Sequence, residues 1–262
     1  MAARDLILGT AAGYHYGDVR PFLRSLDGSG FSGRCVLFVS ETTRDLARMA
    51  DHHVALLPLR ADAAPDGMSC NALRHFLYRD YLRAQSEPPA RVLLTDVRDV
   101  VFQSDPFAPA WAEGLTCAVE DRRMTIGTCP HNSRWVRLHL GDDALARVAD
   151  RPILCSGTTV GGAGAVLAYL DALTEKMAPF TGGERMAGFD QGVHNVLVHT
   201  GALGPVTLTD NAGPILTLGY TEGEPRLDAE GFALNEAGQR AVIVHQYDRK
   251  PGLFRRIREK YA

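Results

Sequence analysis

What most constrains this chain is an alternation in its first hundred residues: apolar runs of strand length follow one another, separated by stretches of helical periodicity. Leu6-Ile7-Leu8, Cys35-Val36-Leu37-Phe38-Val39 and His53-Val54-Ala55-Leu56-Leu57-Pro58 read as three strands. Asp18 and Pro21 mark the start of one intervening helix, and Ser40-Glu41-Thr42-Thr43 the start of the next. From Cys70 to Gln85, Leu73, Phe76, Leu77 and Tyr81 share a helical stripe, with Arg74 and Tyr78 on an adjoining face. Such alternation signals parallel βαβ units, so the fold class expected is α/β, with a Rossmann-like, mixed but mostly parallel central sheet flanked by helices.

The third of these units delivers the chain to residues 92–107, VLLTDVRDVVFQSDPF, where a fourth strand breaks into charge. Beyond it the regularity weakens. Short strands near 116–119, 153–155, 206–209, 215–218 and 241–244 mix with helices near 133–140, 161–177 and 189–199, and segment 219–240 reads as a loop or hairpin excursion. One elaborated domain is expected for 262 residues, 45% of them hydrophobic.

The formal charge of −3 comes from signs mixed along the chain, which argues against a nucleic-acid-binding surface. The basic cluster Arg255-Arg256-Arg258-Lys260 reads as the solvated face of a last helix. No apolar run approaches the roughly 20 residues a membrane-spanning helix needs, and the first apolar stretch is too short for a secretory signal. Five cysteines, odd in number and without a CxxC pair, point to neither a disulfide framework nor a zinc site. A cytoplasmic setting is the expectation.

Asp96 and Asp99 fall where the fourth strand leaves the sheet, the end at which open α/β sheets bind ligands. Two carboxylates there repel one another unless they share a cation. Hard oxygen donors suit Mg²⁺ or Mn²⁺, which complete their shells with water and substrate phosphates. Alternatively, Asp96 caps a turn and Asp99 pairs with Arg98. Far along the chain, the strand Ala241-Val242-Ile243-Val244 ends in His245-Gln246-Tyr247-Asp248-Arg249, and an imidazole is an acceptable ligand for Mn²⁺.

Residues 93–106, LLTDVRDVVFQSDP, resemble the signature of GT-A nucleotide-sugar glycosyltransferases: an apolar strand, a DxD-type acidic motif, and a short apolar strand followed by an Asp-Pro step. The acidic pair departs from that signature, being spaced D-x-x-D, with Asp99 in the second-Asp position and Asp96 one residue early. The resemblance extends over residues 4–249. It implies a single GT-A-like domain over 1–262, with a nucleotide-binding half at 1–107 and an acceptor-side half at 108–262 that carries a C-terminal metal-ligand His. It further implies Mn²⁺ or Mg²⁺ held by Asp99, His245 and Asp96, and a nucleotide-sugar donor, a UDP-sugar by resemblance, transferred to an acceptor hydroxyl in glycan or polysaccharide biosynthesis.

By the same resemblance, Thr10, Ala11 and Tyr14 after the first strand meet the nucleoside, and Arg74 and Arg98 the diphosphate. Tyr247 and Arg249 contact base or diphosphate. Ser156, Gly157 and Thr158, in a small-residue loop before the helix at 163–176, line the donor sugar. Asp190 and Gln191, in a Gly-Phe-Asp-Gln segment, face the acceptor, with Asp190 either the base of an inverting reaction or the helix N-cap. Glu120, Asp121 and Asn132 are further acceptor-side candidates. Two other readings stay open on the residues alone. A non-catalytic nucleotide- or carbohydrate-binding protein would keep the fold, and a nucleotidyltransferase would share the core, although Gly9-Thr10-Ala11-Ala12-Gly13 lacks the Arg and Lys such a loop carries.

Overall fold

The structure, a computed structural model, describes residues 4–120, 122–180 and 188–262. Its main sheet has seven strands. In spatial order they are β3 (Ala55–Pro58), β2 (Arg34–Val39), β1 (Leu6–Thr10), β4 (Arg91–Thr95), β7 (Leu154–Gly162), β6 (Leu115–Val119) and β8 (Val206–Thr209). Only β7 runs against its neighbours; the other pairs are parallel. A second sheet of three strands places β10 (Ile243–His245) between β5 (Val100–Phe102), to which it is antiparallel, and β9 (Ile215–Thr217), to which it is parallel. The mixed, mostly parallel α/β sheet read from the sequence is therefore present, and strands of both halves of the chain share it.

Strand side chains alternate between faces, and both faces of the main sheet are covered. Leu6, Leu8, Val36, Phe38, Val92 and Leu94 face a cluster built with α3 (Cys70–Arg83), α5 (Ala163–Met177) and α6 (Phe189–His199). Ile7, Cys35, Leu37 and Leu93, one residue out of phase, face Phe22, Leu23 and Leu26 of α1 (Tyr16–Asp27). The same cluster takes in Val100, Phe102, Ile215 and Ile243, so the small sheet packs under the main one beside α1. Its outer side carries Val101, Leu216 and Val244 against Leu253 and Ile257 of α7 (Pro251–Lys260). Arg255 and Arg256 of α7 are exposed, as expected of a solvated last helix.

Three local expectations change. Ser40-Glu41-Thr42-Thr43 does not open a helix; α2 (Leu46–Ala50) starts later. Ser40 and Thr43 instead satisfy backbone groups of the loop after β1: Ser40 Oγ accepts from Gly13 N at 2.9 Å and Thr43 Oγ1 donates to Ala11 O at 3.0 Å. Pro21 sits inside α1 rather than in its first turn. It cannot bond the Gly17 carbonyl four residues back, and that oxygen accepts from Arg258 Nη1 at 2.6 Å, tying α1 to α7. Finally, residues 155–162 are strand rather than loop. Ser156, Gly157 and Thr158, which read as part of a small-residue loop before a helix, lie in β7: Thr158 pairs with Thr95 of β4, Gly157 O accepts from Asp96 N, and the register with β6 is interrupted between Cys155 and Thr159.

Leu93 lies at the centre of the sheet with no exposed surface. Leu93→Ala is expected to cost about 2–5 kcal/mol, the usual range for a leucine deleted from a close-packed core, read as a lower urea midpoint at unchanged m-value.

Candidate metal centre

The chain crosses from β3 at one edge back to β4 on the other side of β1, so β1 and β4 are the neighbours at which the sheet's winding reverses. Such a reversal leaves a crevice beyond the strands' carboxyl ends. Here it is a cavity of about 300 Å³. Thr10, Ala12 and Tyr14 line it from the end of β1, and Cys70, Asn71 and Arg74 from the first turns of α3. Asp96, Val97, Arg98 and Asp99 line it from the end of β4, and Gln246 and Arg249 from the segment after β10.

Asp96, Asp99 and His245 converge at this cavity, each with a ligand atom within 4.8 Å of the others. His245 Nε2 lies 3.3 Å from Asp96 Oδ2 and 4.0 Å from Asp99 Oδ1. Backbone pairing produces this convergence. β5 begins directly after Asp99 and pairs with β10 so that His245 stands opposite Val100, and the Asp99 carbonyl accepts from Gln246 N at 2.8 Å. Asp96 is held from the other side, its N–H donating to Gly157 O of β7 at 2.8 Å. Gly157 has to be a glycine: a Cβ there would come within 2.5 Å of both Asp96 Oδ2 and His245 Cε1.

Arg74 anchors the charge behind this cluster. The residue is 8% exposed, and its guanidinium pairs with Asp96 Oδ1 and reaches Asp190 Oδ2 at 3.1 Å. The same Asp190 oxygen faces His75 Nε2 at 3.5 Å and accepts from Ser156 Oγ at 3.4 Å. Burial disfavours a charged Asp190, but the hydrogen bond from His75 and the charge of Arg74 hold its carboxyl below the usual range. Burial opposes ionisation of Asp96 too, and Arg74 and His245 outweigh it, keeping that carboxyl well below the ordinary value. At Asp99 burial prevails, raising its carboxyl above the usual range against the opposing charge of His245, which lies farther from it than from Asp96. His245 is raised well above the ordinary histidine range: burial opposes its charge, yet Cys155, Asp96 and Asp99 overcome that.

Most of the residues singled out in the sequence meet here. Thr10, Tyr14, Arg74, Asp96, Arg98, Asp99 and Arg249 all line the cavity, and Gly157 and His245 adjoin it. Arg98 is paired with Asp248 at 2.7 Å, so that carboxylate and not Asp99 is its hydrogen-bond partner. The other predicted site residues are placed otherwise. Ala11 is buried in the core because its backbone completes the β1 edge with Phe38 and Thr43, and Ala12 takes the cavity position. Tyr247 packs in the core against Phe254, its hydroxyl spent on Arg98 O at 3.0 Å, so it reaches neither base nor diphosphate. Thr158 is fully buried within β7, paired in register with Thr95. Gln191 donates to Asn132 Oδ1 at 3.1 Å, away from the cavity wall.

Asp190 is neither an exposed acid nor the N-cap of α6, which is Gly188. It lies behind Arg74, 3% exposed, and holds that arginine. Ser156 serves the same carboxylate. Glu120 is buried beside Cys155, burial pushing its carboxyl up to about 7. Asp121 lies outside the described residues.

Sequence reasoning did not single out Cys70, Asn71, Gln246 or His75 for the site. Cys70 and Asn71 stand four and three residues before Arg74 on α3, a spacing that shares a helix face and was available as a signal. Gln246 follows His245 directly and turns the chain through a left-handed backbone, φ 58°. Nothing local marks His75, whose role depends on α6 being packed against α3.

Two carboxylates and one imidazole, on rigid strand ends with oxygen donors in the majority, suit Mn²⁺ or Mg²⁺ better than a thiophilic ion. Among the described residues no helix is long and apolar enough to cross a membrane. No protein-family profile matches the sequence, and no curated protein matches it.

Arg74→Met is expected to destabilise the fold by about 3–5 kcal/mol in urea unfolding, because it leaves the Asp190 carboxylate buried without its cation. The shift of His245 favours its protonated form, which must lose a proton from Nε2 to bind a cation, so Mn²⁺ affinity should climb as pH rises. Calorimetry in two buffers of different ionisation enthalpy should register proton release on binding; a heat independent of buffer contradicts it.

Proposed function

We propose that this protein is a divalent-metal-dependent glycosyltransferase of GT-A type, which binds a nucleotide-sugar, a UDP-sugar by resemblance, and transfers its sugar to an acceptor hydroxyl. The observation that carries this reading is the convergence of Asp96 and Asp99 with His245, 149 and 146 positions further along the chain, at a cavity whose lining also includes Arg74, Arg98 and Arg249. Acids that close together, with arginines lining the same cavity, suit a diphosphate bound through a shared cation.

Each group then has a role in keeping with its chemistry. Asp99 and His245, with Asp96 beside them, would hold Mn²⁺ or Mg²⁺, which when bound supplies positive charge to a leaving diphosphate. Arg98 and Arg249 are exposed at the rim and bind diphosphate oxygens as the donor enters. Arg74, fixed from below by Asp190, orients Asp96 and adds charge where negative charge develops on the leaving group. Tyr14 and the small Ala12 offer a face and a space for the nucleobase, and Asn71 a hydrogen-bonding edge. The nearly dry floor around Arg74 strengthens each of these electrostatic interactions. Asp190, its carboxylate already engaged by Arg74, His75 and Ser156, positions Arg74 and is not the base.

Calorimetric titration of UDP in the presence of Mn²⁺ tests the reading. Binding is expected for the wild type, lost when Mn²⁺ is replaced by a chelator, and weakened at least about tenfold, ~1.4 kcal/mol, in Asp99→Ala. UDP binding that ignores both the cation and Asp99 would remove the metal from the function. Binding without any hydrolysis or transfer across a panel of sugar nucleotides would favour a nucleotide-binding protein that does no chemistry.

A further inference from the structure

A second cavity, of about 420 Å³, shares no lining residue with the one at the cation cluster. It lies at β8, the last strand of the main sheet. Thr207 and Thr209 alternate along that strand and so project from one face, and Thr116 of β6 stands in register with Thr207. Ala118, two residues beyond Thr116, belongs to the core that Ile215 and Ile243 join, so this is the face on which the small sheet packs. Pro214 and Val242, just before β9 and β10, line the cavity together with Trp111. Val242 precedes β10 and His245 ends it, which puts the cavity and the cation cluster at opposite ends of that strand.

The walls are fixed by the protein's own bonds. Asn235, 4% exposed, donates to Ala212 O and Gly213 O and accepts from Gln239 N, each at 2.9 Å. Trp111 Nε1 donates to Pro106 O at 2.9 Å, which holds the indole and leaves the rest of the ring as apolar wall. Gly213 has to be small, because a Cβ there would run into Thr209 Oγ1. The polar groups of the lining, by contrast, are unspent. Thr116 is 3% exposed, yet its hydroxyl has no hydrogen-bond partner among the described residues, and the same holds for the hydroxyls of Thr207 and Thr209 and the amide of Gln239.

These groups define what the cavity can take. Its one charged liner, Arg240, is already paired with Asp228 at 2.6 Å and Glu230 at 3.1 Å, so the lining selects for neither an anion nor a cation. Hydroxyls and a primary amide each donate and accept, and their complement is a ligand rich in groups that do both. A wholly apolar ligand would bury those groups unpaired, at a cost. An added peptide strand would use the outer backbone edge of β8, whereas the threonines stand on its face. The indole, Pro214 and Val242 offer apolar surface to the C–H side of a saturated ring. We propose that this cavity binds a neutral saccharide without a metal. The inference is independent of the cation cluster and of the activity proposed for it.

The experiment is a saturation-transfer NMR titration of the full chain in EDTA. The neutral probes are maltotetraose, cellotetraose, mannotetraose and chitotetraose; tetragalacturonate serves as an acidic probe and uridine as a flat, uncharged one. At least one neutral tetrasaccharide is expected to bind the wild type with a Kd below about 10 mM, and tighter than either of the other two probes. Its affinity is expected to fall at least about fivefold in the double variant Thr207→Val/Gln239→Ala, whose melting temperature stays that of wild type because neither side chain is bonded elsewhere. Should the double variant melt lower, Gln239→Ala alone decides by the same threshold. Absence of binding by every neutral tetrasaccharide in EDTA overturns the proposal. So does a loss smaller than about fivefold in the deciding variant, which places the sugar elsewhere. Tighter binding of tetragalacturonate or of uridine overturns the ligand class.

Discussion

A single guanidinium holds together the charged end of this sheet. Arg74 bridges Asp96, just past β4 and partly exposed to the cavity, and Asp190, buried at the start of α6. Three elements distant in sequence are thereby fixed relative to one another by charge as well as by packing. Removing two carboxylates from water is costly, and a buried ion pair of this kind is weak evidence for stability. Its value here is geometric: Asp96 is presented at a defined position and in its ionised form, and Asp99, three residues further along, is left with capacity for something else.

The two acids separated by D-x-x-D are accordingly different groups. Asp96 is saturated by Arg74 and His245 and held well below its ordinary range, whereas burial raises Asp99, which has fewer partners. The spacing follows from the backbone. Asp96 belongs to the turn stitched to β7 through Gly157, and Asp99 to the start of β5, stitched to β10 through Gln246. The extra residue between them spans the step from one sheet to the other.

Much of this was legible in the sequence, because the signals involved are local. The apolar runs at 6–8, 35–39 and 92–95 are β1, β2 and β4, and the acids and the histidine that end two strands do meet. What was not legible depended on tertiary neighbours. Residues 155–162 have the composition of a loop, yet their small side chains are what allow Asp96 and His245 to approach a central strand. Ala11 and Tyr247 sit beside functional residues, but a one-residue change of direction turns each toward the core. Asp190 reads as a helix-start acid, and only the packing of α3 on α6 turns it into the partner of Arg74 and His75.

The ladder that joins β5 to β10 brings Val100 opposite His245. During synthesis on the ribosome, the residues that build β1 to β4 emerge long before the strand that carries the histidine. The emerging first half can assemble its parallel strands and hold Asp96, but Asp99 then lies at a bare edge, without β10 beside it. The Asp96, Asp99 and His245 cluster is thus completed by one of the last strands to be made, and a chain released early would carry the two acids without the histidine.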